Sequence, residues 1–203
     1  MSNDIVRVDH RGGRWSADRP HVLVVACSDG RLQEETDDFL SAHLGISRYD
    51  RLYLPGGAGA LSPSGREFTR AYQVRRECQF LVESHQVTDI VLLFHGPAAT
   101  GPHEASCADY VRKLPWGRAA DLRAQQERDA EELVRARLEW AQEARIHIFR
   151  CEIDDAGMVG FACLHHERTI ATEREVEPSD RGAQAARTRG TRTRDRFGRP
   201  PGS

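Results

Sequence analysis

Several kinds of segment are missing from this sequence of 203 residues. No apolar run in it reaches the ~20 residues that a membrane-spanning helix needs. Residues 1–10 are polar and charged, so they lack the apolar stretch of a secretory signal peptide. Lysine is almost absent, since Lys113 is the only one, and we attribute the arginine bias to genome composition. We therefore expect a cytoplasmic protein without membrane association.

The cysteines do not have the pattern of a disulfide framework. There are five of them at irregular spacing, and an odd number cannot all pair within one chain. In a reducing compartment such residues are thiols that are either buried or chemically active. The remaining composition, with 39% hydrophobic and 30% charged residues, is typical of a globular protein with a core of its own.

Short apolar runs alternate with helical stretches along the middle of the chain. Strands are predicted at 21–27, 51–54, 89–95, 145–151 and 158–164, and helices at 31–44, 64–85, 103–113 and 119–143. This alternation predicts an α/β fold with a mostly parallel sheet flanked by helices. The turn residues 154–157 predict that the last two strands form a C-terminal antiparallel hairpin.

The two ends differ from the middle in composition. We predict an N-terminal arm over 1–19, an α/β domain over 20–170 and a basic disordered tail over 171–203. Residues 181–203 hold seven arginines but only one acidic and one large apolar residue, too little apolar surface to fold. Such a tail could bind nucleic acid through counterion release. Because it carries a single aromatic residue and no nucleic-acid-binding motif, we expect a solvated tail instead.

Three strand ends carry polar or flexible groups. In open α/β sheets, ligands bind outside the carboxyl ends of the strands, where Cys27, the stretch 55–57 and His95 all fall. A helix N-terminus follows Cys27, and Arg31 adds positive charge, so both favour the thiolate form of Cys27. Asp29 and Arg31 are spaced so that their side chains can pair on one side of the turn.

A thiolate and an imidazole are two ligands that zinc prefers, but a zinc site needs at least three from the protein. His103 and Cys107 are candidates, since their spacing places both on one face of the predicted helix. The adjacent pair 165–166 is a weaker candidate, because neighbouring residues of a strand face opposite ways. Each of these residues could equally be an ordinary core or surface residue. Phosphatase-like thiol chemistry fits less well, because the loop from Cys27 to Arg31 is too short to wrap a phosphate.

Assembled in this way, the chain resembles the β-class carbonic anhydrases, especially a divergent prokaryotic carbonic-anhydrase-like subgroup. The turn 27–31 matches the family's Cys-x-Asp-x-Arg, the stretch 49–60 its glycine-rich strand end, and 87–95 the strand that delivers a histidine ligand. The resemblance implies a β-carbonic-anhydrase-like fold, a homodimer or higher oligomer, and zinc bound by Cys27 and His95. It also implies that Asp29 and Arg31 form the catalytic dyad beside a zinc-bound hydroxide that converts carbon dioxide to bicarbonate.

The chain departs from the family at the second cysteine ligand. That ligand stands three residues after the histidine in the family, where this sequence has Ala98. Two hypotheses follow. Either Cys107, with His103 as the alternative, completes a zinc site with Cys27 and His95, and the substrate is carbon dioxide, bicarbonate or a similar small molecule. Or the chain is a metal-free, noncatalytic binding or scaffold member of the same fold.

Overall fold

The computed structural model describes residues 16–64 and 68–167. Residues 1–15 of the predicted arm and the whole of the predicted tail lie outside the described residues, and the boundaries proposed at 20 and 170 stay predictions. The helices and strands, in chain order, are β1 (Val22–Cys27), α1 (Gln33–Asp38), β2 (Asp50–Leu54), α2 (Phe68–His85), β3 (Asp89–Pro97), α3 (Ala108–Lys113), α4 (Ala119–Arg135), β4 (Arg145–Ile153) and β5 (Val159–His166).

These strands form one sheet in the order β2-β1-β3-β4-β5. Strands β1 to β4 pair with one another in parallel, and β5 pairs with β4 in the antiparallel direction. In the turn between β4 and β5, the Asp154 carboxylate accepts hydrogen bonds from the backbone N–H groups of Ala156 and Met158. The predicted α/β class, with a mostly parallel sheet and a C-terminal antiparallel hairpin, is confirmed.

Both faces of the sheet are covered by apolar side chains, as the nearly continuous apolar strands require. The larger core lies on the face that carries Leu23, Ile90 and Ile146, and α2 and α4 pack over it. The helix α2 contributes positions three or four apart, which is the spacing of one helical face (Ala71, Val74, Cys78 and Val82). The smaller core lies on the opposite face, where Phe39 stacks on Phe161 with ring centroids 4.0 Å apart.

Several helices are shorter than the sequence predicts. The predicted helix 103–113 is a 3₁₀ turn, His103–Ala105, followed by α3 from Ala108. Ser106 and Cys107 both have extended backbone and separate the 3₁₀ turn from α3. Cys107 is therefore the N-cap residue of α3 and does not share a helical face with His103. The predicted helix 119–143 ends at Arg135, after which the chain turns so that Trp140 enters the core with 1% of its surface exposed. Within 16–64 and 68–167, no helix has the length and apolarity needed to cross a bilayer.

Candidate metal centre

Three metal-ligating side chains converge at the carboxyl ends of the parallel strands. Cys27 ends β1, His95 lies near the end of β3, and Cys107 is the residue that caps α3. Their sulfur and nitrogen ligand atoms all lie within 4.8 Å of one another. His95 is 4% exposed and Cys107 2% exposed, whereas Cys27 is partly exposed. The predicted ligand set Cys27, His95 and Cys107 is therefore brought together in space.

The glycine-rich stretch after β2 holds the backbone of Cys27. Gly57 has a φ of +52°, a conformation that favours glycine. A Cβ atom at this position would lie 2.7 Å from the backbone nitrogen of Cys27 and 2.7 Å from the carbonyl oxygen of Leu93. The stretch therefore packs against β1 and β3 at a distance that no side chain permits.

A loop over residues 98–106 carries the chain from His95 to Cys107. It starts at Ala98, whose N–H donates to the carbonyl oxygen of Ile153 at 2.8 Å. It crosses the end of β4 at Gly101, where a Cβ atom would lie 2.0 Å from that same carbonyl oxygen. The loop delivers Cys107 to the cluster, whereas His103 is exposed on it and contacts Ser106. A second cysteine thus reaches Cys27 and His95 from further along the chain than position 98.

The two thiols of the cluster have opposite acidities. The pKa of Cys27 is lowered well below its usual range, first by a hydrogen bond from the thiol of Cys107 and then by the nearby imidazole of His95. The pKa of Cys107 is raised, chiefly because its thiol donates a hydrogen bond to the Cys27 sulfur and because the thiol is buried. The pair therefore holds one thiolate and one thiol, and a cation that binds both sulfurs would displace the remaining proton.

The imidazole of His95 is the feature that tests whether a metal fits. Both of its ring nitrogens are buried, and neither makes a well-aligned hydrogen bond in the described structure, although the ring is close enough to the Cys27 sulfur to lower its pKa. A buried polar group without a partner costs about 1–3 kcal/mol. Two cysteine sulfurs and one imidazole form a donor set typical of zinc, and coordination through one ring nitrogen would remove part of that cost. The residues present therefore fit a zinc ion.

Asp29 and Arg31 form the ion pair that their spacing predicts. The guanidinium donates from Nε to Oδ1 at 2.9 Å and from Nη2 to Oδ2 at 2.6 Å. These hydrogen bonds lower the pKa of Asp29 to about 2. Arg31 also donates from Nη1 to the carbonyl oxygen of Glu104 at 3.2 Å, which links the turn after Cys27 to the loop that carries Cys107.

Two supporting residues were not found from the sequence. Gln126 of α4 is buried and donates from Nε2 to the carbonyl oxygen of His95 at 2.8 Å. Asp109 of α3 is buried and forms ion pairs with Arg70 at 2.8 Å and with Arg112 at 2.7 Å, so it anchors the helix that starts after Cys107. Neither belongs to a motif, and both roles depend on helices packing against strand ends.

The weaker candidates at 165–166 do not lie in this cluster. Because β5 is antiparallel to β4, its last residue, His166, pairs with His147 near the start of β4. The start of β4 is at the opposite edge of the sheet from the carboxyl end of β3. These histidines therefore belong to a different part of the molecule.

The structure shows a low level of similarity to solved carbonic anhydrases. The carbonic anhydrase of Streptococcus mutans is 19% identical with a TM-score of 0.37, over 71% of this chain and 82% of that chain. The enzyme from Glaciozyma antarctica is 14% identical with a TM-score of 0.40, over 73% and 83%. A β-carbonic anhydrase, isoform I, of the protozoan Trichomonas vaginalis is 14% identical with a TM-score of 0.35, over 78% and 87%. No protein-family model and no curated protein sequence matches the chain. At these identities and TM-scores, the likeness by itself establishes neither a family nor a function.

Proposed function

We propose that this chain is a zinc-dependent lyase of the β-carbonic-anhydrase kind, in a divergent prokaryotic subgroup, that interconverts carbon dioxide and bicarbonate. The observation that carries the proposal is the convergence of Cys27, His95 and Cys107 around a buried imidazole without a well-aligned hydrogen bond in the described structure. The residue-level match of the turn 27–31 to Cys-x-Asp-x-Arg supports it. The metal-free alternative depended on Ala98, and the position of Cys107 beside Cys27 and His95 supports the zinc-dependent hypothesis over it.

Each residue has a distinct role in this proposal. Cys27, His95 and Cys107 would hold a zinc ion, which would lower the pKa of a water bound to it and so supply hydroxide near neutral pH. Asp29 stays ionised because the guanidinium of Arg31 donates to it from Nε and Nη2, so it can only accept hydrogen bonds at neutral pH. The Asp29 carboxylate lies two residues after Cys27. It would therefore favour a zinc ligand that can donate a hydrogen bond to it, such as water or bicarbonate. Arg31 holds both Asp29 and the loop before Cys107 in place.

The first test measures zinc content and activity together. Protein purified without chelators should contain about one zinc per chain and catalyse carbon dioxide hydration in a stopped-flow assay. Cys107→Ser should lose the zinc and the activity, because two ligands do not hold a structural or catalytic zinc. Asp29→Asn should keep the zinc and lose about 100-fold in kcat/KM, because an amide can donate a hydrogen bond where only an acceptor serves.

Cys163→Ser is the matched control, since Cys163 is an exposed free thiol on β5 and should be dispensable for both properties. A zinc-free wild-type protein whose melting temperature is unchanged by added zinc or by a chelator would sink the proposal and favour the noncatalytic scaffold. Zinc binding without carbon dioxide hydration would instead retain the metal site and reject the reaction.

The proposal extends to partners and location. We propose a homodimer or higher oligomer in the cytoplasm, with a small-molecule substrate and no nucleic-acid partner. Two features support self-association. The strand β2 is the outermost strand at one side of the sheet, and α2 exposes the aromatic side chains Phe68, Tyr72 and Phe80. All five cysteines are free thiols, as the reducing cytoplasm requires.

A further inference from the structure

Two histidines face each other across β4 and β5, at the opposite edge of the sheet from the cysteine cluster. His147 and His166 are partners in the antiparallel register, and their Nδ1 atoms lie 3.0 Å apart. Their ring centroids are 4.6 Å apart. His147 is buried, whereas His166 is exposed, so the pair spans from the interior to the protein surface.

The buried histidine is held in one orientation by a carboxylate. The Nε2 atom of His147 lies 2.9 Å from Oδ1 of Asp89. Arg145 binds both oxygens of Asp89, at 2.9 and 2.7 Å. Burial alone would raise the pKa of Asp89, but these hydrogen bonds together hold it below its usual range. Because the carboxylate only accepts, Nε2 of His147 carries the N–H that faces it, and Nδ1 is the nitrogen that faces His166.

A carboxylate, a histidine and an open ring nitrogen form the arrangement found at metal-binding histidines. Such ligands usually donate their second ring N–H to a carboxylate, which fixes the tautomer and increases the basicity of the coordinating nitrogen. His166 is also placed for coordination, since its Nδ1 faces Nδ1 of His147 and the residue is exposed at the surface. Two imidazole nitrogens therefore face each other at 3.0 Å, where a metal ion could take the place of the proton between them.

The distance between the nitrogens indicates which ions fit. With metal–nitrogen bonds of about 2.0–2.1 Å, the 3.0 Å separation corresponds to an angle of roughly 95° at the ion. Tetrahedral zinc would need the nitrogens about 3.3 Å apart at the same bond lengths. Square-planar and octahedral ions accept neighbouring ligands near 90°, and among divalent ions nickel and copper bind imidazole most tightly in that geometry.

We propose that His147 and His166 form a second metal site, independent of the cysteine cluster, that binds nickel(II) or copper(II) through their two Nδ1 atoms. Water completes the coordination on the exposed side. The site bridges β4 and β5, so a bound ion ties the outer antiparallel strand to the sheet. It lies beyond the proposed lyase function and does not depend on it.

Nickel(II) is the probe that tests the site, because copper(II) would also oxidise the thiols. The titration uses the full-length Cys27→Ser/Cys107→Ser protein, which lacks the sulfur ligands of the first site. Isothermal titration at pH 7.5 should show one nickel per chain, and bound paramagnetic nickel should broaden the imidazole NMR signals of His147 and His166. His166→Ala should weaken nickel binding at least tenfold.

His165→Ala is the matched control, since its ring contacts Glu167 and does not face His147. It should bind nickel as the parent does. Asp89→Asn should weaken binding about tenfold or more by removing the carboxylate behind His147. Circular dichroism shows whether each variant is folded. Equal nickel affinity in His166→Ala and the parent would overturn the proposal, and the two rings would then form a hydrogen-bonded pair only.

Discussion

Asp29 is the residue whose charge depends most directly on a single partner. Its side chain is only 20% exposed, and Arg31 donates to it from the backbone N–H and from both Nε and Nη2 of the guanidinium. Its pKa falls from the ordinary 3.8 to about 2. A lowered pKa means that the ion pair stabilises the fold fully above pH 3.8, and that this contribution is lost as the pH falls towards 2. The dyad is therefore intact across the whole range in which a lyase would work.

Removing the arginine should raise the pKa of Asp29. We expect the Asp29 carboxyl carbon to titrate near pH 2 in the wild-type protein, and towards 3.8 in Arg31→Gln, when followed by NMR. Arg48→Gln is the control, because Arg48 is an exposed arginine that bonds to the carbonyl oxygen of Asp18 instead. An unchanged Asp29 midpoint in Arg31→Gln would show that the pair does not set the charge of the dyad.

The elements that surround the cluster of Cys27, His95 and Cys107 are strand ends and the backbone segments that follow them. Gly57 follows β2 and touches the backbone of both Cys27 and Leu93, so the position of the thiol depends on the absence of a side chain there. Gly157, between β4 and β5, also has a positive φ, of +79°, but a Cβ atom there would meet nothing within 4 Å. The two glycines therefore separate the cost of backbone conformation from the cost of a close contact.

Alanine substitution at these glycines should give different results. Gly157→Ala should lower the stability by about 1 kcal/mol, the cost of a left-handed conformation for a residue with a Cβ atom, and leave zinc binding unchanged. Gly57→Ala should lose the same conformational free energy, and its Cβ atom should also push the Cys27 end of β1 away. We therefore expect zinc affinity to fall at least tenfold. Thermal unfolding and a competitive zinc titration measure the two effects. Equal zinc affinity in both variants would contradict a positioning role for Gly57.

At the scale of the whole molecule, α2 presents an apolar surface that the described chain does not cover. Phe68, Tyr72 and Phe80 are 71%, 56% and 63% exposed. Phe68 and Tyr72 stand one helical turn apart and so lie on neighbouring parts of the surface. Large exposed aromatic groups in one region are typical of an interaction surface.

If a second copy covers this surface, a charge placed there should prevent association. We expect light scattering coupled to size exclusion to give the mass of a dimer or higher oligomer for the wild-type protein and that of a monomer for Tyr72→Glu. Met158→Glu is the control, because Met158 is 67% exposed but lies in the turn between β4 and β5. A wild-type monomer at micromolar concentration would rule out the oligomer. Zinc content should be the same in all three proteins.

Much of the fold could be predicted because it depends on local patterns. Nearly continuous apolar runs form buried strands wherever a sheet is covered on both faces, and their alternation with helices leads to parallel pairing. Cys27, Asp29 and Arg31 could be found for the same reason, since a single turn after β1 sets the positions of all three side chains relative to one another. The helix ends were harder to predict, because the turn before Trp140 depends on a core that several segments share.

The sequence by itself determined the class of the fold, the strand end that carries Cys27, and the ion pair beside it. Only the tertiary structure decided that Cys107 joins Cys27 and His95 while Ala98 and His103 do not. It also decided that His166 faces His147, since one residue of slip between two strands would turn these rings to opposite faces. Contacts between residues far apart in the chain depend on strand register and loop path, and no local pattern encodes either.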